Sequence, residues 1–398
     1  MISPAIYYHP EAYTISGPKL MGRNAAGESF LRGFLKHHQT DHYWLQVQSV
    51  EHAKHYAGTL KSFGIDKPIS AIDQRNLAAL SNPGLVYYPG PGIGQYAWQR
   101  SAFGHHQWSL CGITHTTSSA LAMDSIANLL EAPVMPWDAV ICTSQAVKEN
   151  VSLLLQTQIE YLKSRLGISK ITLPQLPVIP LGIHSEDFVF NAQQKNDARN
   201  NLKIAKDRIV VLFMGRLSFH AKAHPLVMYQ ALQAAAQSTK KKITLIECGW
   251  HANDFIEKAY SDAAKLAAPD IEVITLDGRN AENRNNAWAV ADIFCSLSDN
   301  IQETFGIVPI EAMAAGLPVI VSDWDGYKDT VRDGVDGFRI PTAMPQPGLG
   351  GDLAIRHALE VDTYDMYCGH TCSLISVDLD QAIKAFIKLI ESPELRKR

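Results

Sequence analysis

Two cations follow a buried strand in the middle of the chain. The apolar run Ile209–Met214 leads into Gly215-Arg216, and Lys222 comes six residues after the arginine. Open α/β sheets bind ligands at the carboxyl ends of their strands. Arginine offers a planar fork that grips two phosphate oxygens, lysine adds a mobile charge, and together they suit a diphosphate leaving group. Taken alone, the pair is better explained by two solvated loop cations.

Two carboxylates bracket the start of a predicted helix. Pro309 is tolerated only in a first helical turn, so the helix should begin between Phe305 and Pro309. Its free amides and its dipole favour an anion. Glu303 precedes this helix, and Glu311 lies about two turns beyond Glu303, so the two could accept hydroxyl groups of a sugar and a ribose. The alternatives are a dipole-stabilised Glu303 and a snorkelling Glu311.

These two stretches resemble the retaining glycosyltransferases of family 4, which have the GT-B fold. The resemblance includes the frame from Glu303 through Glu311 to Ile320, and it extends over residues 179–338. It implies an α/β protein of two Rossmann-like domains whose parallel sheets face a central cleft. The N-terminal domain, residues 1–190, would bind the acceptor, and the C-terminal domain, residues 200–398, would bind the nucleotide-sugar donor.

The resemblance also implies a role for each matching residue in the second half. Gly215, Arg216 and Lys222 would meet the donor diphosphate, and Glu303 would contact hydroxyls of the transferred sugar. The other implied donor contacts are the amides near Phe305, Gly306 and Ile307, the ribose-binding carboxylate of Glu311, and Gly278 in the turn near the base. Arg216, Lys222 and Glu303, together with His115, form the predicted catalytic set.

The first half matches the family at fewer positions. The loop of residues 16–24 corresponds to a family loop with paired glycines near the donor phosphates, and either Gly17 or Gly22 could fill that role. His115 matches a family histidine that faces the donor sugar. The alternative for His115 is a strand-end histidine in a hydrogen-bond network.

The reaction implied by the resemblance moves a sugar from a nucleoside diphosphate sugar to an acceptor hydroxyl, with retention of anomeric configuration. Arg216, Lys222 and helix amides would neutralise the leaving group, so no metal or other cofactor is expected. The acceptor could be a carbohydrate, a lipid-linked molecule or a small molecule. Two alternatives remain: a GT-B epimerase acting on a nucleotide sugar, and a non-catalytic nucleotide-sugar-binding protein.

Short apolar runs alternate with helical patterns along the whole chain, which indicates two successive parallel α/β sheets. A polar stretch, residues 191–207, is the expected boundary, and residues 342–377 are expected to form a surface insertion. Ser119 and Ser144 are plausible N-caps of helices. The predicted strands are 5–8, 43–47, 68–72, 85–88, 109–114, 139–143 and 177–181, then 209–214, 243–248, 271–276, 293–297, 318–322 and 337–341.

Composition excludes several classes of function. The 398 residues carry a formal net charge of -4 and no basic stripe, so nucleic acid is not an expected partner. The six cysteines mostly lie in or beside apolar runs, as reduced buried thiols do. Cys368 to Cys372 offers at most three metal ligands, so no metal is expected there. Without a signal sequence or an apolar span, the expected location is cytoplasmic, with contact at the inner membrane face left open.

Overall fold

The computed structural model describes residues 3–14 and 22–397, and Gly17 therefore lies outside the described residues. The chain divides into two units, residues 1–183 and 184–398. The polar stretch expected at the boundary instead contributes a helix, Ala192–Asn201, to the second unit. Within the described residues, no helix is both long and apolar enough to cross a bilayer.

The first unit is a parallel six-stranded sheet with the order β3-β2-β1-β4-β5-β6. Its strands are mostly buried apolar runs, as expected where helices cover both faces of a parallel sheet. The elements are β1 (Ala5–Tyr8), α1 (Gly22–His37), β2 (Tyr43–Val47), α2 (Val50–Ser62), β3 (Ile69–Ile72), β4 (Leu85–Tyr87), α3 (Gly94–Ser101), β5 (Ser109–Ile113), α4 (Ala120–Ala127), β6 (Ala139–Ile141) and α5 (Gln145–Leu166).

Two predicted N-caps are confirmed. The Ser119 hydroxyl accepts a hydrogen bond from the amide of Ala122, and the Ser144 hydroxyl accepts one from Val147. Each cap satisfies a backbone donor that the first helical turn leaves unpaired. Helix α5 ends at Leu166. The next residue, Gly167, has a φ of 68°, the left-handed conformation typical of a helix C-terminus.

A predicted seventh strand, residues 177–181, is absent from the sheet. Val178 forms only an isolated bridge with Cys142. Pro177 explains the difference, because it lacks the amide that would pair with β6 between the bonds donated by Gln175 and Ile179.

A buried ion pair ties α3 to the end of the first sheet. Arg100 donates two hydrogen bonds of 2.7 Å to the two carboxylate oxygens of Asp138, and both side chains are fully buried. Asp138 also accepts the amide of Leu110 in β5. The planar fork of the guanidinium makes this a bidentate contact, which fixes β5 and so the loop that carries His115.

The second unit repeats the same topology with the order β12-β11-β10-β7-β8-β9, and it adds a small antiparallel pair, β13-β14. Two parallel α/β sheets confirm the predicted fold class. The elements are α6 (Ala192–Asn201), β7 (Ile209–Met214), α7 (Leu226–Thr239), β8 (Ile243–Gly249), α8 (Asp254–Ala267), β9 (Glu272–Asp277), α9 (Ala281–Val290), β10 (Ile293–Ser296), α10 (Ile307–Ala314), β11 (Val319–Ser322), α11 (Tyr327–Thr330), β12 (Gly337–Ile340), β13 (Thr342–Ala343), α12 (Gly351–Ala358), α13 (Tyr364–Cys372), β14 (Ser376–Val377), α14 (Leu379–Glu391) and α15 (Pro393–Lys397).

Strand β7 lies at the centre of this unit and is buried along its whole length. Val211 and Phe213 pack into the core formed with α7, α8 and α14, whereas Val210 and Leu212 pack into the core formed with α9 and α10. The alternation follows from the two-residue period of a strand. Packing on both faces holds the carboxyl end of β7, where Gly215 and Arg216 follow.

The segment expected to be a surface insertion, residues 342–377, is largely ordered secondary structure. It contains α12, α13 and the β13-β14 pair, and only residues 344–350 form the predicted loop. Cys368 and Cys372 lie one turn apart on α13 and are both buried. The thiols therefore belong to a packed face of the second unit, which corrects the expectation of a simple surface insertion.

Candidate functional site

The residues predicted to bind a diphosphate lie where the connections of the second sheet change direction. Strands β7 and β10 are neighbours, but the chain continues from β7 to β8 on one side and from β10 to β11 on the other. The loops that follow β7 and β10 therefore diverge and leave a crevice at the carboxyl ends of the strands. Arg216 and Lys222 lie on the first loop, and Glu303 lies on the second.

Lys222 and Glu303 meet across this crevice. The Lys222 Nζ lies 2.5 Å from Glu303 Oε2, and the two side chains are only 18% and 11% exposed. The Tyr327 hydroxyl also donates to Glu303 Oε2, at 3.3 Å. Ser298 donates to the backbone oxygen of Lys222 at 2.9 Å and so joins the two loops. An anionic ligand bound here would share Lys222 with Glu303.

Arg216 is held beside this pair by the same two loops. Its Nη2 donates to the Ala221 carbonyl at 3.2 Å and to Gln302 Oε1 at 3.3 Å. Burial lowers the pKa of Arg216, and the Asp365 carboxylate acts in the opposite direction. A guanidinium keeps its charge in proteins, so the site holds two cations of fixed position.

The helix predicted from Pro309 is confirmed, since α10 begins at Ile307. Gly306 precedes it with a φ of 84°, a left-handed conformation that favours glycine. No side chain caps this helix start. Its first amides can therefore donate to an anion or a hydroxyl next to Glu303. Phe305 is buried and fixes the approach to the helix.

Glu311 lies inside α10 and is partly exposed. Burial raises the pKa of its carboxyl to about 7, and the charges of Arg284 and Lys222 oppose that shift. Among the described residues, no hydrogen bond or salt bridge satisfies this carboxylate. A carboxylate in such surroundings is costly without partners. Its two oxygens could accept two neighbouring hydroxyl groups.

Three glycines, Gly215, Gly249 and Gly278, lie close together at the carboxyl ends of β7, β8 and β9. A Cβ on Gly249 would lie 1.9 Å from the oxygen of Gly215, and one on Gly278 would lie 3.0 Å from Gly249 Cα. The Gly278 amide donates to Gly249 at 2.8 Å. Arg284 donates to the carbonyls of Gly278 and Arg279 and so holds the turn after β9. The missing side chains therefore allow the backbones of these three turns to pack directly against one another.

Sequence reasoning missed Gly249 and also Asp325, which follows β11. Asp325 adopts a φ of 42°, and burial raises the pKa of its carboxyl to about 8, with Glu303 adding to the shift. A Cβ on the next residue, Gly326, would lie 2.4 Å from Phe305 Cα, so this turn packs directly on the approach to α10. The signal available in the sequence was an Asp-Gly pair shortly after an apolar strand.

The predicted site residues of the first unit are Gly22 and His115. Gly22 is the exposed first residue of α1, and His115 follows β5. Burial lowers the pKa of His115 to about 4, and the positive charge of Arg23 adds to the effect. The imidazole is therefore neutral near pH 7, and one ring nitrogen can donate while the other accepts. Its placement toward a donor sugar stays a prediction.

Comparison with known proteins supports the same family. Residues 194–346, within the second unit, match the family described as glycosyl transferases group 1. The chain is 29% identical over 180 residues to lipopolysaccharide 1,2-N-acetylglucosaminetransferase of Salmonella typhimurium, covering 44% of this chain and 46% of that protein. It is 25% identical over 253 residues to D-inositol 3-phosphate glycosyltransferase of Actinosynnema mirum. That match covers 62% of this chain and 58% of the relative. The matched regions thus span about half the length of these relatives.

A solved structure shares the fold along almost the whole chain. The Anabaena protein HepE, crystallised with UDP, superposes with a TM-score of 0.57 over 98% of this chain and 100% of its own, at 15% identity. This similarity extends to the first unit, where the family match does not reach.

Proposed function

We propose that this protein is a glycosyltransferase that moves a sugar from a nucleoside diphosphate sugar to an acceptor hydroxyl, with retention of anomeric configuration. One observation carries the proposal: Arg216 and Lys222 face Glu303 across the crevice between β7 and β10, beside the start of α10. Two cations, free helix amides and a carboxylate are the groups that a sugar diphosphate needs. The relatives named as sugar transferases support it.

In this proposal the donor lies along the carboxyl edge of the second sheet. The diphosphate contacts Arg216, Lys222 and the first amides of α10. The hydroxyls of the transferred sugar bind Glu303, and the ribose binds the carboxylate of Glu311. The base lies beside the turn that contains Gly278. HepE was solved with UDP-glucose, which makes a uridine donor the first to try.

Cleavage leaves the electron pair of the anomeric C–O bond on the diphosphate. Arg216, Lys222 and the α10 amides stabilise that negative charge, which is the largest electrostatic change in the reaction. The acceptor oxygen adds to the same face of the sugar, and its proton passes to the departing phosphate oxygen. This scheme requires no metal.

We expect one nucleotide sugar, in a panel of UDP-, GDP- and ADP-sugars, to raise the unfolding temperature by about 5 °C at a hundred times its Kd. Glu311→Ala and Lys222→Ala should abolish that rise, because each removes one end of the donor contact. Lys258→Ala is the matched control, since Lys258 pairs only with exposed Asp262 on α8. Differential scanning fluorimetry makes the comparison, and stabilisation retained in both site variants would contradict the placement.

Release of nucleoside diphosphate then separates the possible activities. A transferase releases it in step with transfer to an added acceptor, whereas an epimerase alters the sugar without an acceptor. A binding protein does neither. NMR of the first-formed product reports its anomeric configuration, and an inverted product would contradict retention.

Nucleoside affinity should depend on pH through Glu311. Ribose hydroxyls favour the ionised carboxylate, so binding lowers its pKa below the value of about 7 in the free protein and releases a proton. Affinity should therefore rise as pH increases toward about 7 and become constant above it. Calorimetric titration with the nucleoside avoids ionisation of the phosphates. Glu311→Gln should give a flat profile, and an unchanged slope in that variant would assign the proton to another group.

A further inference from the structure

Helix α13 contacts both loops that form the crevice, although it comes from the segment expected to be a simple insertion. Gln302 Nε2 donates to the Cys368 thiol at 3.6 Å, and Asn300 Nδ2 donates to the Cys372 thiol at 3.4 Å. The two thiols lie one turn apart, so they face the same side of the helix. That side of α13 contacts the loop that carries Glu303, between β10 and α10.

The same amides continue the contact to the loop that carries the cations. Asn300 Nδ2 also donates to the backbone oxygen of His220 at 2.6 Å, and its Oδ1 accepts the amide of Gln302 at 2.8 Å. Gln302 Oε1 accepts Arg216 Nη2 at 3.3 Å. A continuous path therefore runs from Cys368 through Gln302 to Arg216.

The guanidinium of Arg216 determines which end of the Gln302 amide faces it. A guanidinium offers only donors, so the Gln302 carboxamide must present its oxygen to Arg216 and its amino group elsewhere. The Cys368 sulfur accepts from that amino group. Cys368 is fully buried, so water does not compete for this weak acceptor. In this orientation the thiol supplies an acceptor for the amino group, whereas a flip of the amide would place the amino group against a cation.

Resting on the proposed donor site, we propose that Gln302 is a positioning residue for the diphosphate-binding Arg216, and that Cys368 on α13 sets the orientation of Gln302. Neither side chain needs to touch the donor. The pair instead selects the guanidinium orientation that receives phosphate oxygens, and so contributes to the affinity for the diphosphate and not to that for the nucleoside.

The donor panel first identifies the base of the nucleotide. Calorimetry then measures the affinity of the protein for the nucleoside diphosphate with that base and, separately, for the corresponding nucleoside. Gln302→Leu should weaken diphosphate binding about tenfold, the lower end of the cost of one lost hydrogen bond to a charged group, and leave nucleoside binding unchanged. Cys368→Val should also weaken diphosphate binding, but by a smaller factor than Gln302→Leu. Gln233→Leu, which removes an exposed glutamine contact on α7, is the matched control and should change neither affinity.

A double-mutant cycle distinguishes positioning from general loosening. In an Arg216→Ala background, Gln302→Leu should have no further effect on diphosphate binding, because the residue acts through Arg216. Equal losses in both backgrounds, or equal losses for nucleoside and diphosphate, would overturn the proposal. If Gln302→Leu does not fold, Cys368→Val carries the same comparison. A folded wild-type chain that binds neither ligand overturns the proposed function itself, whereas wild-type binding unchanged by both variants overturns only the positioning role.

Discussion

Replacing Lys222 with methionine is expected to lower kcat/KM roughly 10²–10³-fold, the usual cost of removing one group that stabilises developing charge. Lys222 Nζ is positioned by its contact with Glu303 in a largely buried site. Its charge therefore acts on the leaving diphosphate with little screening by water. Methionine keeps most of the length of the side chain and removes the ammonium group, with its charge and its contact to Glu303.

Steady-state kinetics on the identified donor checks this result. Lys222→Arg should recover part of the activity, because it restores the charge with a different geometry. Lys258→Met should leave kcat/KM unchanged, since Lys258 lies in an exposed ion pair with Asp262. Circular dichroism confirms that each variant is folded. Activity of Lys222→Met close to that of the unchanged protein would show that the leaving group is stabilised elsewhere.

Replacing Gly306 with alanine is expected to destabilise the protein by about 2–4 kcal/mol. A Cβ at this position would lie 2.2 Å from Cδ1 of the Tyr327 ring, and the residue has a φ of 84°. Tyr327 cannot move aside easily, because it is fully buried and its hydroxyl lies 2.9 Å from the Ser296 hydroxyl. The methyl group therefore adds overpacking to left-handed strain.

Gly316, which follows the C-terminal end of α10, is a matched control. Its φ is 76°, but a Cβ there would meet nothing within 4 Å, so Gly316→Ala should cost only about 1–2 kcal/mol of left-handed strain. Urea unfolding followed by circular dichroism measures both. Equal losses of unfolding free energy in the two variants would mean that the contact with Tyr327 contributes nothing.

Local periodicity predicted most of the fold. The twelve strands of the two sheets lie within one or two residues of their predicted limits, because buried parallel strands appear as short continuous apolar runs. The start of α10 followed from the single constraint that Pro309 places on a helix. The prediction failed at residues 177–181, because Pro177 lacks an amide that the strand would need.

Long-range packing was not predictable in the same way. The sequence identified Arg216 and Lys222 as a pair, but it gave no indication that Gln302 would hold Arg216 from 86 residues away. Helix α13 is short and lacks a clear apolar stripe, so its periodicity was weak. Its two cysteines indicate burial, but they do not indicate that the side-chain amides of Asn300 and Gln302 are their partners. Asp325 and Gly249 matter because of backbone approaches that only the folded chain reveals.

The contacts of α13 also bear on the order in which the site is completed during synthesis. Asn300 bonds to the thiol of Cys372, 72 residues further along, and Gln302 bonds to Cys368, 66 residues further along. A nascent chain is made from its N-terminus and cannot close such contacts until both ends have left the ribosome. Arg216 is thus translated long before the helix that completes its support. The crevice between β7 and β10 therefore cannot reach its final form until α13 has been synthesised.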